Sequence, residues 1–474
     1  MYRTKFIFLL TLGLLSPFVA RALTLDEFLA EVQKRNKEFQ GLGTSREAAE
    51  DRRAAGDLGL SPILTLSAGY LSDEKQPQTL GTKLTSSQYS LGVAKEFSTG
   101  TKASVTGNVQ QVQVANLPPI YPSYFSDYST GSLGFSVSQS LWKNAFGAGT
   151  RLRQQRQASA ATLEKENFNL QQRQILMGAE TAFWNYLYQQ EELKTRQESL
   201  ERAQRIEAWL KRRYRDGIND KADYLNAQAL TASRELLLAT AKDLVRAAEQ
   251  SLRGLLEMKE TEALPPLKAD FKKARDILTL VDGGAGKVVR LDARLADLEA
   301  QTKSLGAREV QDSLKPDLVL EGAYNTNSNV QDSPSQALNK ITNTDIPTTQ
   351  VGVKFTYMFD TDAKMSQESL ARKEALAAQL KSEQKMIESE ISWSELQRRY
   401  KELLQQISTS ERLSELQMAR AKEQSLKLSR GRAVTSDVIN SEEDAATTSL
   451  SLNRLRAEAR KMEAQSRLFI RVQE

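Results

Sequence analysis

Two carboxylates stand at matched places in this chain. Asp223 lies six residues after Gly217, and Asp437 lies six residues after Gly431, with Asn440 three residues further on. Near a symmetry axis, copies of such a carboxylate repel one another, concentrate cations and resist anions. At the start of a helix the same side chain caps free backbone N–H groups instead. Both readings stand for Asp437. Capping is the stronger one for Asp223, whose followers Tyr224 and Leu225 suit packing between helices. Little other chemistry is on offer. The 474 residues include no His and no Cys, which excludes Ser-His-Asp and Cys-His catalysis, zinc fingers, soft-metal sites and disulfides. The charged runs Glu191-Glu192 and Glu442-Glu443-Asp444 fall on helical stretches and read as solvated faces. No enzyme activity and no cofactor are expected.

The elements around these residues are long helices. Residues 151–214 contain no Pro, and Leu163, Leu170, Met177 and Trp184 recur every seven residues, as do Leu193 and Leu200. That is coiled-coil spacing, and the helix would be roughly 95 Å long. It breaks at Arg215-Asp216-Gly217-Ile218-Asn219-Asp220, and a shorter helix returns over 222–258. In the second half a helix over 364–429 breaks at Gly431 and returns from Asp437 towards Phe469. There Val438, Ala445, Leu452 and Ala459 keep the seven-residue spacing, as do Leu455, Met462 and Phe469. Further helices are expected over 25–60, with a Thr24/Glu27 capping box, and over 287–314.

Each half also carries strands. Pro62-Ile63-Leu64-Thr65-Leu66-Ser67-Ala68-Gly69-Tyr70 returns as Pro316-Asp317-Leu318-Val319-Leu320-Glu321-Gly322-Ala323-Tyr324, a shared P-x-L-x-L-x-[AG]-x-Y. With the same neighbours each time, the repeat indicates an internal duplication of a helix-strand-strand-long helix-helix unit, residues 23–268 and 269–474. Strand alternation puts Leu64, Leu66 and Tyr70 on one face, with Leu318 and Leu320 in the second copy. Partner strands present Phe135 and Val137, and Phe355, on apolar rows; Ser136, Ser138, Ser140, Lys354 and Thr356 form polar rows opposite. The second-half strands lie within 316–360. Trp142 ends its strand where an interfacial aromatic anchor is expected. Only the first half has an extra hairpin, 87–114, with a tight turn at Ser98-Thr99-Gly100-Thr101 and a loop over 116–128 after it.

Residues 1–22 read as a secretory signal: Arg3 and Lys5, an apolar run over 6–15, then Ala20-Arg21-Ala22. No other apolar run approaches ~18 residues, so an exported chain of this kind enters a membrane only as a closed β-barrel. The formal charge is +5, and the three basic residues of the signal reduce it to +2, which does not call for a nucleic-acid partner.

Four core strands cannot close on themselves. Two chains give eight, whose interior side chains fill; three give twelve and leave a lumen suited to the polar rows. The expected fold is mainly α with a membrane β-barrel: a trimeric barrel continued by a long α-helical coiled-coil barrel, with both Gly turns at its far end. The extra hairpin either adds two barrel strands per chain or stands above the membrane; short turns on the periplasmic side favour the barrel.

Taken together these features resemble the TolC family of outer-membrane efflux and secretion channels. The carriers are the duplicated strand, the second strands ending Gln139-Ser140-Leu141-Trp142 and Tyr357-Met358-Phe359-Asp360, and the two turns with Gly217-Asp223 and Gly431-Asp437. The resemblance covers nearly all the mature chain. It implies a homotrimer in the cell outer membrane, extending into the periplasm as a passive duct. It also implies that the turns at Gly217, Asp223 and Gly431 dock a periplasmic adaptor (membrane fusion) protein joined to an inner-membrane pump or ABC exporter. In the best-studied type of member the second-half Asp helps form a carboxylate ring that narrows the closed end, with another Asp three residues on. Asn440 holds that later position, Leu428 stands where a locking Tyr can occur, and Ala433 where an Arg can occur, so the closing latch differs. Asp437 and Asn440 are the gate candidates. An exported coiled-coil rod or adhesin is the alternative; it has no need of apolar outer rows.

Overall fold

The computed structural model describes residues 22–74, 81–259, 262–281, 286–331 and 333–472. The signal-like segment falls on residues outside these, apart from Ala22. In chain order the elements are α1 (Leu25–Arg35), α2 (Lys37–Ala55), β1 (Ile63–Asp73), β2 (Lys83–Glu96), β3 (Thr101–Ala115), β4 (Asp127–Ser140), α3 (Ala148–Arg215), α4 (Lys221–Leu255), β5 (Lys287–Arg290), α5 (Leu291–Ser313), β6 (Asp317–Gln331), α6 (Pro334–Asn339), β7 (Thr348–Thr356), α7 (Thr361–Ser429), α8 (Thr435–Gln465) and β8 (Phe469–Val472). They form two compact units. One takes the chain up to Thr44, Asn169–Leu291 and Glu388 onward; the other takes Ser45–Phe168 and Asp292–Ile387.

The first unit is helical. Its entry follows from local chemistry. The Thr24 hydroxyl accepts from the Glu27 N–H, and the Glu27 carboxylate accepts from the Thr24 N–H at 2.9 Å. Leu25, Phe28, Leu29 and Val32 then share one buried face of α1. The helix stops at Asn36, whose side-chain oxygen accepts the Phe39 N–H at 2.8 Å and starts α2. The expected single helix over 25–60 is therefore two helices and a final 3₁₀ turn at Gly56–Leu60. Phe28, Phe183 and Trp184 centre the core beside this entry. Their rings are 5.3 Å apart in each neighbouring pair, with Phe183 and Trp184 edge to face, an arrangement worth about 0.5–1.5 kcal/mol per pair beyond area burial. A second core gathers Ile277, Val281, Tyr400, Leu403, Leu452 and Phe469.

Two helix expectations change here. Residues 287–290 are not the start of a helix but β5, which pairs antiparallel with β8, Arg290 opposite Phe469. Phe469 therefore leaves the seven-residue helical series; β-branched Val288 and Val289 and the aromatic ring are placed in a small sheet in which Val289 and Phe469 are both buried. That pairing joins positions about 180 residues apart, which periodicity within one window does not register.

The second unit is built on one antiparallel sheet in the order β1-β2-β3-β4-β6-β7. The hairpin expected over 87–114 spans 83–115 and lies inside this sheet, between β1 and β4. The strand after it begins at Asp127, so the end of the expected loop over 116–128 is already paired, Asp127 opposite Gln113. Strands β6 and β7 fall within the expected 316–360.

Candidate functional site

The sheet sorts its residues by chemistry. Reading across the register, Leu66 stands opposite Leu91, Leu91 opposite Gly107, Gly107 opposite Leu133, and in neighbouring rows Val105 faces Phe135, Phe135 faces Tyr324, and Leu318 faces Phe355. Because side chains alternate, Leu64, Leu66, Tyr70, Phe135, Val137, Leu318, Leu320 and Phe355 all fall on one face. Leu64, Leu66 and Tyr70 are 68, 78 and 72 % exposed, so this apolar face has no cover from the chain itself along β1. At the outer end of the neighbouring strands α6 does cover it: the Ser328 hydroxyl donates to the Ala337 carbonyl at 2.7 Å, and a Cβ at Gly131 would strike that carbonyl.

The opposite face is mainly hydroxyl and amide, with Glu321 and Lys354 among them and Val112 and Val114 buried towards its outer end. Ser67 and Ser90 hydroxyls meet at 2.5 Å, Ser104 and Ser136 at 2.7 Å, and Gln110 donates to Ser86 at 2.8 Å. Such cross-strand polar pairs satisfy one another without a buried core. At the end of the sheet where the strands meet the helices, aromatic rings cluster. Phe355 and Tyr357 stack at 6.4 Å, Tyr357 meets Phe359 edge-on at 5.3 Å, and Lys95 and Lys364 lie over the Phe97 and Tyr357 rings. Trp142 belongs to this end and is half exposed; the flanking Leu141 and Lys143 N–H groups donate to Leu318 and Pro316 carbonyls.

The two Gly turns lie in the helical unit and are built alike. Gly217 and Gly431 have φ of +70° and +71°, the left-handed region that costs any other L-residue roughly 1–2 kcal/mol. In the first turn the Gly217 N–H donates to Tyr214 and Ile218 to Arg213; in the second Gly431 donates to Leu428 and Arg432 to Lys427. Each is a paired helix-ending motif that satisfies the last carbonyls. Beneath them Ile206, Leu210, Ala227, Leu428 and Val438 form one buried apolar cluster, with Trp209 and Ala433 packed against it. The two turns are thus held side by side, and Leu428 and Ala433 belong to an apolar packing cluster.

Asp437 is not the helix cap. Val434 holds that place and Asp437 is the third residue of α8, exposed, in the first turn where a negative charge is favoured. Asn440 is exposed on the same side, one turn on, while Val438 between them is buried. Among the described residues the Asp437 carboxylate has no hydrogen-bond or ion-pair partner. Asp223 sits at the same helical position after the Asp220 cap and is half-buried. It differs in being engaged: Arg213 donates to Asn219 at 2.7 Å, and Asn219 donates to Asp223 at 3.0 Å. Tyr224 stacks on Tyr214 at 5.8 Å rather than packing inside.

Of the charges read as solvated, Glu443 and Asp444 are exposed as expected, whereas Glu442 is buried and Glu192 is largely covered. Glu442 is buried and accepts from Arg202 at 2.6 Å; Glu443 pairs with the buried Arg234; Asp444 pairs with Arg420 at 3.0 Å; Glu192 pairs with Arg196 at 3.3 Å. A larger network escaped the sequence reading altogether. Glu463, fully buried, holds the Arg460 guanidinium at 2.6 and 2.7 Å and Arg275 at 2.7 Å, and accepts the Tyr400 hydroxyl at 2.8 Å. Glu180, also buried, pairs with Arg275 and Arg467, and Arg275 and Arg460 flank the Trp184 ring. Burial pushes the Glu180 carboxyl up, but Arg467 and Arg275 outweigh it and hold it below the usual range. Burial, then the bond to Glu463, pushes the Tyr400 phenol up. The one advance signal was Glu180 four residues before Trp184 inside an apolar series. This network fastens the 270–281 segment to α3, α7 and α8; it is enclosed structure, not an open site.

No group of three or more Asp or Glu side chains that could hold a metal occurs among the described residues, and no helix there is long and apolar enough to cross a membrane. No protein-family model and no curated protein sequence matches the chain. Solved structures do. The chain is similar to the outer membrane protein VceC from Vibrio cholerae, at 14 % identity and a TM-score of 0.65 over 93 % of this chain and 94 % of VceC. It is similar to the outer-membrane channel OprN at 15 % identity and 0.67, covering 94 and 89 %. It is also similar to the MtrE outer membrane channel of Neisseria gonorrhoeae in its open state, at 15 % and 0.63, covering 94 and 88 %. At these identities the likeness is one of fold: the chain has the fold of outer-membrane channel proteins, the fold that its resemblance to the TolC family implies.

Proposed function

We propose that this protein is a passive channel of the cell outer membrane, reaching into the periplasm, and not an enzyme. The observation that carries the reading is the sheet: one face has an apolar row that crosses all six strands and is exposed along β1 and β7, and the other is mainly polar, with hydroxyls, amides and the charged Glu321 and Lys354. A sheet with lipid on one side and water on the other requires this sorting, and lipid tolerates such a sheet only when its edges are closed. Among the described residues the edges β1 and β7 have no further strand partner, so closure needs further copies, and a homotrimer is the assembly proposed. The aromatic rings at Trp142, Tyr357 and Phe359 suit the membrane–water boundary. A coiled-coil rod or adhesin would leave the apolar rows without purpose.

In this reading the paired turns at Gly217 and Gly431, with Asp223 beside them, are the docking surface for a periplasmic adaptor, which would couple the channel to an inner-membrane pump or exporter. Asp437, exposed and unpartnered, forms a ring of carboxylates with its symmetry copies and favours cations there, with Asn440 as a neutral second ring. Purification of the full chain from outer membranes, followed by mass measurement in detergent, tests the assembly. A trimer that loses its compact migration on heating is expected; a monomer or an extended dimer without channel activity would favour the rod.

A further inference from the structure

We infer that each copy contributes six strands to the membrane wall, so that the trimeric barrel has eighteen strands rather than twelve and a correspondingly wide bore. This rests on the channel reading above. Its support is independent of the duplicated strands and lies in the β2–β3 hairpin. Leu91 stands opposite Leu66, and Val105 opposite Phe135, so the hairpin crosses the apolar band at the same level as the strands beside it. Its tight turn is at the helix end of the sheet. Gly100, at φ +72°, accepts the Ser140 N–H through its carbonyl, and the turn packs so closely on Gly147 that a Cβ there would strike the Ser98 carbonyl. A hairpin standing above the membrane would need that turn at the outer end. Its two faces also sort like the rest, with Ser90 and Thr106 on the polar side.

Width follows from strand number. With strands ~4.8 Å apart and tilted by ~40°, twelve strands close at a backbone diameter of about 24 Å and eighteen at about 36 Å. Subtracting ~10 Å for two facing side-chain layers leaves about 14 Å against about 26 Å. A bore of the second size, lined mainly by polar side chains, admits bulky hydrated cargo without stripping its water. The barrel then sets no tight size limit on what is exported.

The absence of native cysteine allows single cysteines, each carrying an environment-sensitive bimane fluorophore, at Leu66 and Phe135, at Leu91 and Val105, and at Ser90 and Thr106. The trimer is reconstituted in vesicles with and without brominated phosphatidylcholine. Eighteen strands predict that Leu66, Phe135, Leu91 and Val105 labels lose most of their emission to the brominated chains, while Ser90 and Thr106 labels keep theirs. Quenching at Leu66 and Phe135 but at neither Leu91 nor Val105 overturns the eighteen-stranded wall and leaves a twelve-stranded channel standing. Equal quenching at Ser90 and Leu91 overturns the polar bore. No quenching at Leu66 or Phe135 overturns the membrane-barrel reading itself. If the Leu91 label prevents assembly, Val93 on the same face of β2 replaces it.

Discussion

Exchanging one residue on each side of β1 for arginine separates a lipid-facing sheet from any other kind. Leu66 is 78 % exposed on the apolar face, with Leu64 before it and Tyr70 beyond; Ser67, its neighbour, faces the polar side and shares a hydroxyl bond with Ser90 at 2.5 Å. Leu64 to Tyr70 spans ~20 Å at about 3.3 Å per residue, so Leu66 lies inside a band some 25 Å tall. Leu66→Arg then costs about 2–4 kcal/mol per copy near the bilayer midplane, less towards its edge. In a trimer that is roughly 6–12 kcal/mol if the three copies act additively. Ser67→Arg places the guanidinium in water and loses one hydroxyl bond, about 0.5–1.5 kcal/mol per copy. Urea unfolding of each variant in lipid vesicles, followed by tryptophan emission and heat-modifiable migration, reads the difference. A soluble rod with this sheet in water would gain from arginine at Leu66. Equal costs at the two positions, or a larger cost at Ser67, would refute the assignment of faces.

Other expectations concern the helical unit. Glu463→Gln leaves Arg460 without its buried counter-charge and Arg275 with Glu180 alone, and should cost about 3–5 kcal/mol, seen as a lower unfolding midpoint by circular dichroism; an unchanged midpoint would show that the network is dispensable. The Glu180 carboxyl is held below its ordinary value of 4.5 by Arg467 and Arg275. Its contribution to stability is therefore complete above about pH 4.5 and lost as pH falls through the folded value. Glu180→Gln should accordingly flatten the acid limb of stability against pH below about 4.5, and an identical acid limb would contradict this. Leu428→Ala, in the cluster under the turns, should cost about 2–5 kcal/mol and raise resting conductance; loss of stability without added leak would separate packing from closure. Asp437→Ala should lower cation selectivity in bilayer recordings, and unchanged reversal potentials would remove it from the gate.

Much of the sheet was legible because strand alternation is local: P-x-L-x-L-x-[AG]-x-Y already places Leu64 and Leu66 on one face, and the register only extends the row. The long helices and their glycine turns were legible for the same reason, since a seven-residue spacing and a single positive-φ residue each announce themselves in sequence. What escaped was long-range. Glu463 and Glu180 each resemble any charged helical residue until Arg275, nearly a hundred residues from Glu180, folds between them. Residues 287–290 continue a helical pattern and become a strand only because Phe469–Val472 supplies a partner. Asp437 illustrates the limit at a functional candidate: its type suits a cap, but Val434 starts the helix and leaves the carboxylate free in the first turn.

The most direct measurement is single-channel recording of the purified full chain in planar bilayers, with the Asp437→Ala variant recorded alongside. A passive trimeric duct predicts discrete, voltage-tolerant conductance steps without any added energy source, cation-preferring in the parent chain and less so in the variant. A protein that forms stable trimers yet never conducts, under low or high salt, would contradict the channel and return the chain to the class of exported structural rods.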